Sequence, residues 1–324
     1  MLCGMEINVI NVVSRRGFVL GGGMMGLATW MGRSAFAQAS RFKVAVITDE
    51  ISQDFDHACS VAANEFGMHW VELRGMWKKS LLDLSDVELG ETERILKKYS
   101  LQVTDIASPL FKVDWPGAPR SSHSSGKASS GDVLKEQDTV LEKSIALAKR
   151  FKTNKVRGFD FWRIEEVTPY RAAIDQKLAE AAETCGKQGT ILVLENEFAC
   201  NTATGREAAR TLGAVKSKYL ALNWDPGNAV MRGEFDAYPV AWKLLPKDRI
   251  HHCHVKNAVK GQDGKVEWSP VGKGIIDWKG QFQALAKMGY RDAVSLETHW
   301  HGGGTPEEST RESWAGMKSA LAGI

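Results

Sequence analysis

Cysteine is scarce in this chain of 324 residues. There are five, with no CxxC pair among them, so zinc-finger and thioredoxin-like readings fall away at once. Charge of one sign is scarce too: 42 Lys and Arg stand against 39 Asp and Glu, a net +3. A nucleic-acid binder would keep a larger basic excess, so no nucleic-acid partner is expected. Long apolar runs are missing. The run from Phe18 to Met31 is rich in glycine and shorter than the ~20 residues of a membrane helix, so no stable membrane anchor is expected. A glycine-rich dinucleotide fingerprint is also absent, because the first strand-like segment leads into Thr48-Asp49-Glu50-Ile51-Ser52.

What is present begins with an export pattern. Ser14-Arg15-Arg16-Gly17-Phe18-Val19-Leu20 is a twin-arginine motif, and Ala35-Phe36-Ala37-Gln38-Ala39 offers small residues at signal-peptidase spacing. Residues 1–39 are therefore expected to be a signal peptide, cleaved after Ala39, that takes the chain to the periplasm through the twin-arginine export machinery. Residues 40–324 would then be the mature domain. Losing Arg15, Arg16, Arg33 and Glu6 lowers the net charge from +3 to about +1. The mature chain keeps Cys59, Cys185, Cys200 and Cys253. Export permits disulfides, but Cys59 and Cys185 fall on the apolar faces of expected helices and read as buried small hydrophobes.

From Phe42 onward, short β-branched runs alternate with amphipathic stretches, the pattern of βα units around a parallel sheet. Strands are expected at 44–48, 70–73, 103–107, 156–161, 191–194, 220–223, 250–255 and 293–296. Between them, Leu141, Ile145 and Ala148 recur at i, i+4 and i+7, as do Ile174, Leu178 and Ala181, each set forming one buried helical stripe. Thr305-Pro306-Glu307-Glu308 reads as a capped helix start, with Trp314, Met317 and Leu321 on one face. Eight such units in about 280 residues predict a single (β/α)8 TIM barrel. The polar, serine-rich stretch from Asp114 to Asp132 reads as a long mobile loop after the third strand, at the face where barrel loops build active sites.

Barrel enzymes place reactive groups at the carboxyl ends of their strands. The fifth expected strand runs into Glu195-Asn196-Glu197, the sixth into Trp224-Asp225-Pro226-Gly227-Asn228 and the eighth into Glu297-Thr298-His299, while the seventh reads Ile250-His251-His252-Cys253-His254-Val255-Lys256. A single such residue would ordinarily be a loop-edge charge. Four on consecutive strands form a series, and three carboxylates converging with an imidazole would need a cation to offset their repulsion and desolvation. Glu195, Asp225, His254 and Glu297 are thus candidate ligands for one divalent metal. The oxygen-rich set favours Mn²⁺, Mg²⁺ or Co²⁺ and leaves Zn²⁺ open.

These motifs resemble the xylose isomerase-like barrel superfamily of sugar isomerases and epimerases across essentially the whole mature chain. The resemblance is carried by Leu194-Glu195-Asn196, Asp225-Pro226-Gly227-Asn228, His252-Cys253-His254-Val255-Lys256, Pro270-Val271-Gly272-Lys273-Gly274 with Asp277-Trp278, and Leu296-Glu297-Thr298. It implies the same four metal ligands. Two departures fall on the substrate-facing shell: Glu197 stands where many relatives carry His, and Asn257 follows Lys256 where many carry Asp.

The resemblance implies removal of a proton from a carbon next to a carbonyl, with Glu195 and Glu297 as the acid and base on opposite faces of a sugar or keto-sugar. Asn228, His252 and Lys256 would hold substrate oxygens or support the metal ligands. Trp162, Trp224 and Trp300 follow strand ends and are candidates to cover a sugar ring. Metal-dependent sugar isomerase or epimerase is the leading reading. A lyase or hydrolase of 3-keto-glycosides is the rival, since free sugar phosphates are scarce in the periplasm. An endonuclease IV-like enzyme fits the near-neutral charge less well, and a barrel that binds sugar without turnover is the non-enzymatic alternative. A homo-oligomer is compatible with all of these.

Overall fold

A computed structural model of the protein describes residues 40–124 and 132–324; residues 1–39, expected from sequence to be a signal peptide, and residues 125–131 of the serine-rich loop lie outside the described residues. Eight parallel strands carry the fold: β1 (Lys43–Val46), β2 (Trp70–Leu73), β3 (Gln102–Leu110), β4 (Lys155–Gly158), β5 (Ile191–Glu195), β6 (Leu220–Trp224), β7 (Ile250–Val255) and β8 (Ala293–Leu296). Each pairs with its sequence neighbour, β1 also pairs with β8, and an isolated parallel bridge from Ile47 to Glu72 joins β1 to β2. This ring of pairings is the expected TIM barrel. Strand β3 runs longer than its apolar pattern predicted, and β4 stops at Gly158 rather than at 161.

Eight helices follow the strands in turn: α1 (Phe55–Ser60), α2 (Asp86–Lys98), α3 (Val133–Arg150), α4 (Thr168–Lys187), α5 (Gly205–Ala214), α6 (Pro226–Met231), α7 (Trp278–Lys287) and α8 (Pro306–Leu321). Their stripes are buried as the spacing requires: Leu141, Ile145 and Ala148 on α3, Ile174, Leu178 and Ala181 on α4, and Trp314, Met317 and Leu321 on α8. Thr305 caps α8 in a reciprocal pair with Glu308. Cys59, Cys185, Cys200 and Cys253 are buried free thiols. No helix among the described residues is long and apolar enough to cross a membrane. The described part of the serine-rich loop is tied down, with the Asp114 carboxylate accepting from the Ser121 N–H at 3.0 Å and Trp115 packing edge-on to Phe161.

The N-terminal end of the barrel is closed by an ion-pair cluster. Asp292, just before β8, meets Lys155 Nζ at 2.8 Å, Lys43 Nζ at 3.4 Å and His251 Nδ1 at 3.4 Å. Burial opposes its charge, but the His251 hydrogen bond and the Lys155 and Lys43 charges outweigh it and hold the carboxyl well below the usual range. Such a group stabilises the fold fully above its unfolded pKa, and that share is lost as pH falls through the folded value. Asp292→Asn, which strands the buried Lys155, is expected to cost about 2 kcal/mol at pH 7. It should also flatten the acid limb of a stability curve measured by urea unfolding between pH 7 and pH 3. An unchanged acid limb would contradict the assignment.

Candidate active site

Alternation along β7 turns His252 and His254 to one face, and that face is the barrel interior. Glu195 ends β5 and points the same way. Asp225 follows β6 as the N-cap of α6, its Oδ1 accepting from the Asn228 N–H at 2.9 Å. Glu297 follows β8. Ligating atoms of Glu195, Asp225, His254 and Glu297 all lie within 4.8 Å of one another, and all four side chains are buried. The capping role open to any strand-end acid is therefore real for Asp225, and it coexists with membership of the cluster.

His254 is held from behind. Its Nε2 lies 3.0 Å from Glu72 Oε1 and 3.1 Å from Asn223 Nδ2. Its Nδ1 faces Glu297 Oε2 at 3.1 Å, Glu195 Oε1 at 3.4 Å and Asp225 Oδ2 at 3.8 Å, with no hydrogen-bond partner. Carboxylate, imidazole and an inward-facing free nitrogen form the arrangement by which proteins orient a metal-binding histidine. Glu195 Oε2 and Asn228 Oδ1 are also buried without hydrogen-bond partners. The donor set thus fits one divalent cation.

The charge balance differs from the sequence argument, which left the carboxylates without any protein cation. Arg157 Nη1 lies 3.1 Å from Glu195 Oε2. Lys256 Nζ meets Glu297 Oε2 at 2.6 Å and Asp225 Oδ2 at 2.7 Å. Arg74 reaches Glu50 at 2.6 Å, Asp49 at 3.0 Å and Glu297 at 3.1 Å. Repulsion alone therefore does not demand a metal; the convergence of three carboxylates on His254 Nδ1 within 4.8 Å is the stronger sign. Burial works to raise the Glu195 carboxyl, yet the His254 and Arg157 charges hold it down at about 2. Burial also opposes the Glu297 charge, and Lys256 and His254 outweigh it. At Asp225 burial wins, pushing the carboxyl up to about 7 against the pull of Lys256. Burial alone would lower the His254 imidazole, but the charges of Glu72, Glu297 and Glu195 outweigh it and raise it well above the usual range.

All seven residues singled out in the sequence are buried here, but they divide. Asn228 Nδ2 donates to Glu195 Oε1 at 3.1 Å and to Asp225 Oδ2 at 3.0 Å, so it and Lys256 brace the acids directly. His252 lies behind the cluster, with Nδ1 3.1 Å from Asn223 Oδ1 and Nε2 3.6 Å from Glu72, where it supports the groups that hold His254. Gly227 is required beside Lys256, because a Cβ there would stand 2.6 Å from the lysine Cγ. Of the three tryptophans, Trp224 is fully buried and donates Nε1–H to Gln281 on α7, so it packs barrel against helix and covers nothing. Trp162 and Trp300 are half-buried. A further aromatic is Trp268, whose ring lies 5.3 Å from Lys256 Nζ, 5.0 Å from the His299 ring and 6.4 Å from the Phe198 ring.

Sequence reasoning passed over Glu72 on β2, Asp105 on β3 and Arg157 on β4. All three are buried inside the barrel. Their signal was a charged residue inside a strand, which is costly unless paired. Arg157 also donates to the carbonyls of Ala107 and Ser108, fixing β3 against β4. Burial and the charge of Glu72 push the Asp105 carboxyl well above its usual range.

The fold is a parallel (β/α)8 barrel whose acidic cluster and one histidine, at the carboxyl ends of β5 to β8, could hold a metal ion. A family described as xylose isomerase-like TIM barrel matches residues 61–320, and the chain belongs to that family. An Escherichia coli (strain K12) protein whose name assigns it to L-ribulose-5-phosphate 3-epimerase is 24% identical over 245 residues, covering 71% of this chain and 84% of its own length. The IOLI protein with a bound zinc atom superposes with a TM-score of 0.66 at 17% identity, covering 87% of this chain and 98% of that one. The 3-keto-D-glucoside 4-epimerase of E. coli superposes at 0.61 and 13% identity, covering 86% and 99%. At these identities the two structures show the shared fold.

Proposed function

We propose that this chain is a metal-dependent sugar isomerase or epimerase that removes and returns a proton at a carbon next to a carbonyl. The observation that carries the reading is the convergence of the buried His254 Nδ1 with the carboxylates of Glu195, Asp225 and Glu297, all within 4.8 Å of one another. Those four residues would hold one divalent cation, which when bound supplies Lewis-acid polarisation of a substrate carbonyl. Among the common ions, Mn²⁺, Mg²⁺ and Co²⁺ suit the oxygen-rich donor set.

The chain's own groups do the rest. Glu195 comes from β5 and Glu297 from beyond β8, so one carboxylate takes the carbon-bound proton while the other delivers one from the opposite side. Arg157 keeps Glu195 ionised, and Lys256 and Arg74 do the same for Glu297. The rings of Trp268 and Phe198 keep water from the reacting carbon. The twin-arginine motif at Ser14–Leu20 supports periplasmic work for the mature domain.

The test is isotopic. In D₂O, ketoses or keto-sugars incubated with the metal-loaded chain should gain deuterium beside the carbonyl, and a chelator should abolish the gain. Label at C3 with an intact skeleton marks a 3-epimerase; release of an aglycone from a 3-keto-glycoside marks the elimination chemistry instead. A broad panel showing neither, with metal confirmed in the protein, would leave a sugar-binding barrel without turnover.

A further inference from the structure

We propose that the site takes an uncharged sugar and discriminates against phosphorylated ones, and that Glu197 sets this choice by holding Lys112; the inference rests on the sugar-epimerase reading above. Lys112 follows β3 at the carboxyl end of the barrel. Its Nζ lies 4.6 Å from the centre of the Phe159 ring, and the Arg157 guanidinium lies 5.0 Å from the same ring. Arg157 in turn pairs with Glu195, so Lys112 stands one aromatic ring away from the acid cluster. Its side chain is 31% exposed, which leaves it open to an entering ligand. It is not free, however. Glu197, two residues beyond Glu195 and 6% exposed, holds it at 3.0 Å.

The other cations around the cluster are engaged as well. Among the described residues, Arg74 is shared by Asp49, Glu50 and Glu297, Arg157 faces Glu195, and Lys256 bridges Asp225 and Glu297. A phosphate group is recognised by guanidinium or ammonium donors that have no anion of their own. Here a dianion would have to displace a carboxylate from each cation it approached. Like charges brought together in a desolvated site suppress the wrong partner strongly. The rings of Phe198 and Trp268, by contrast, offer flat apolar faces suited to the C–H face of a neutral sugar ring.

Glu197→Gln isolates the effect. The carboxamide keeps the size of the side chain and the Oε1 acceptor facing the Ala199 N–H, but its lost charge releases Lys112. The experiment measures metal-dependent deuterium incorporation from D₂O for matched pairs of sugars, L-ribulose against L-ribulose 5-phosphate and other free ketoses against their phosphates. The wild-type chain is expected to favour the unphosphorylated member by roughly 100-fold in kcat/KM. Glu197→Gln should narrow that ratio at least about tenfold by gaining on the phosphates, and adding Lys112→Met should abolish the gain. Wild-type protein that works as well on phosphates, or a ratio unmoved by Glu197→Gln, would overturn the inference and leave the epimerase reading standing. Exchange with neither member of any pair, with metal bound, would overturn both.

Discussion

Glu195→Gln and Glu297→Gln are each expected to lower kcat by about 10² to 10⁴, the range that a positioned acid or base contributes. Both carboxylates are buried beside His254 Nδ1, and their neighbours keep both ionised: His254 and Arg157 hold Glu195 at about 2, and Lys256 and His254 hold Glu297 low. A carboxamide keeps an oxygen facing the centre but cannot take a proton. Elemental analysis separates the two roles, because each variant should retain a substantial fraction of its metal while turnover collapses, whereas His254→Ala should lose the metal itself. Full metal occupancy in His254→Ala would sink the ligand assignment, and near-normal deuterium exchange in either Gln variant would remove that acid from the proton path.

Arg157→Met should produce the largest loss of stability in the metal-free protein, about 3–5 kcal/mol, the scale for removing one partner of a buried ion pair. Arg157 is buried between β3 and β5, where it faces Glu195 and donates to the carbonyls of Ala107 and Ser108. Burial alone would weaken its charge, but Glu195, Glu72 and Glu297 raise its pKa further. Methionine fills a similar volume, so what remains is an unbalanced Glu195. A divalent cation in the cluster would restore part of the balance. Urea unfolding should therefore show a large deficit in chelator that shrinks when Mn²⁺ is added. An equal deficit under both conditions would mean that the cation does not sit beside Glu195.

The four acid and histidine positions were legible because each comes at the end of an apolar run, and the end of a parallel strand has a fixed place in a barrel. The eight strands were legible for the same reason, their β-branched runs being separated by helical stripes such as Leu141, Ile145 and Ala148. The supporting charges were harder to see. Glu72, Asp105 and Arg157 lie within strands, where a polar residue interrupts the pattern, and only the closed barrel brings β2, β3 and β4 opposite β7. Trp224 misled because the end of a strand has two sides: its neighbour Asp225 turns into the site, while Trp224 turns out toward α7. Trp268 lies on the hairpin of Asn257–Lys260 with Val266–Ser269, which the βα reading had no place for.

The ring is divided by halves. Glu195, Asp225, His254 and Glu297 come from β5 to β8, whereas Glu50, Glu72, Arg74, Asp105, Lys112 and Arg157 come from β1 to β4 or the turns that follow them. The second half of the sequence therefore supplies the four candidate ligands together with Lys256, and the first half supplies Arg74 and Arg157, which pair with two of them, and Glu72, which backs His254. First-half loops that carry none of these pairing residues can be exchanged with less risk to the four candidate ligands, so a lineage with this barrel can change what it admits while keeping the same centre. A designer has the same freedom: libraries confined to the turns after β3 and β4 would vary selectivity, whereas changes after β5 to β8, or at Glu50 and Arg74, would put the centre itself at risk.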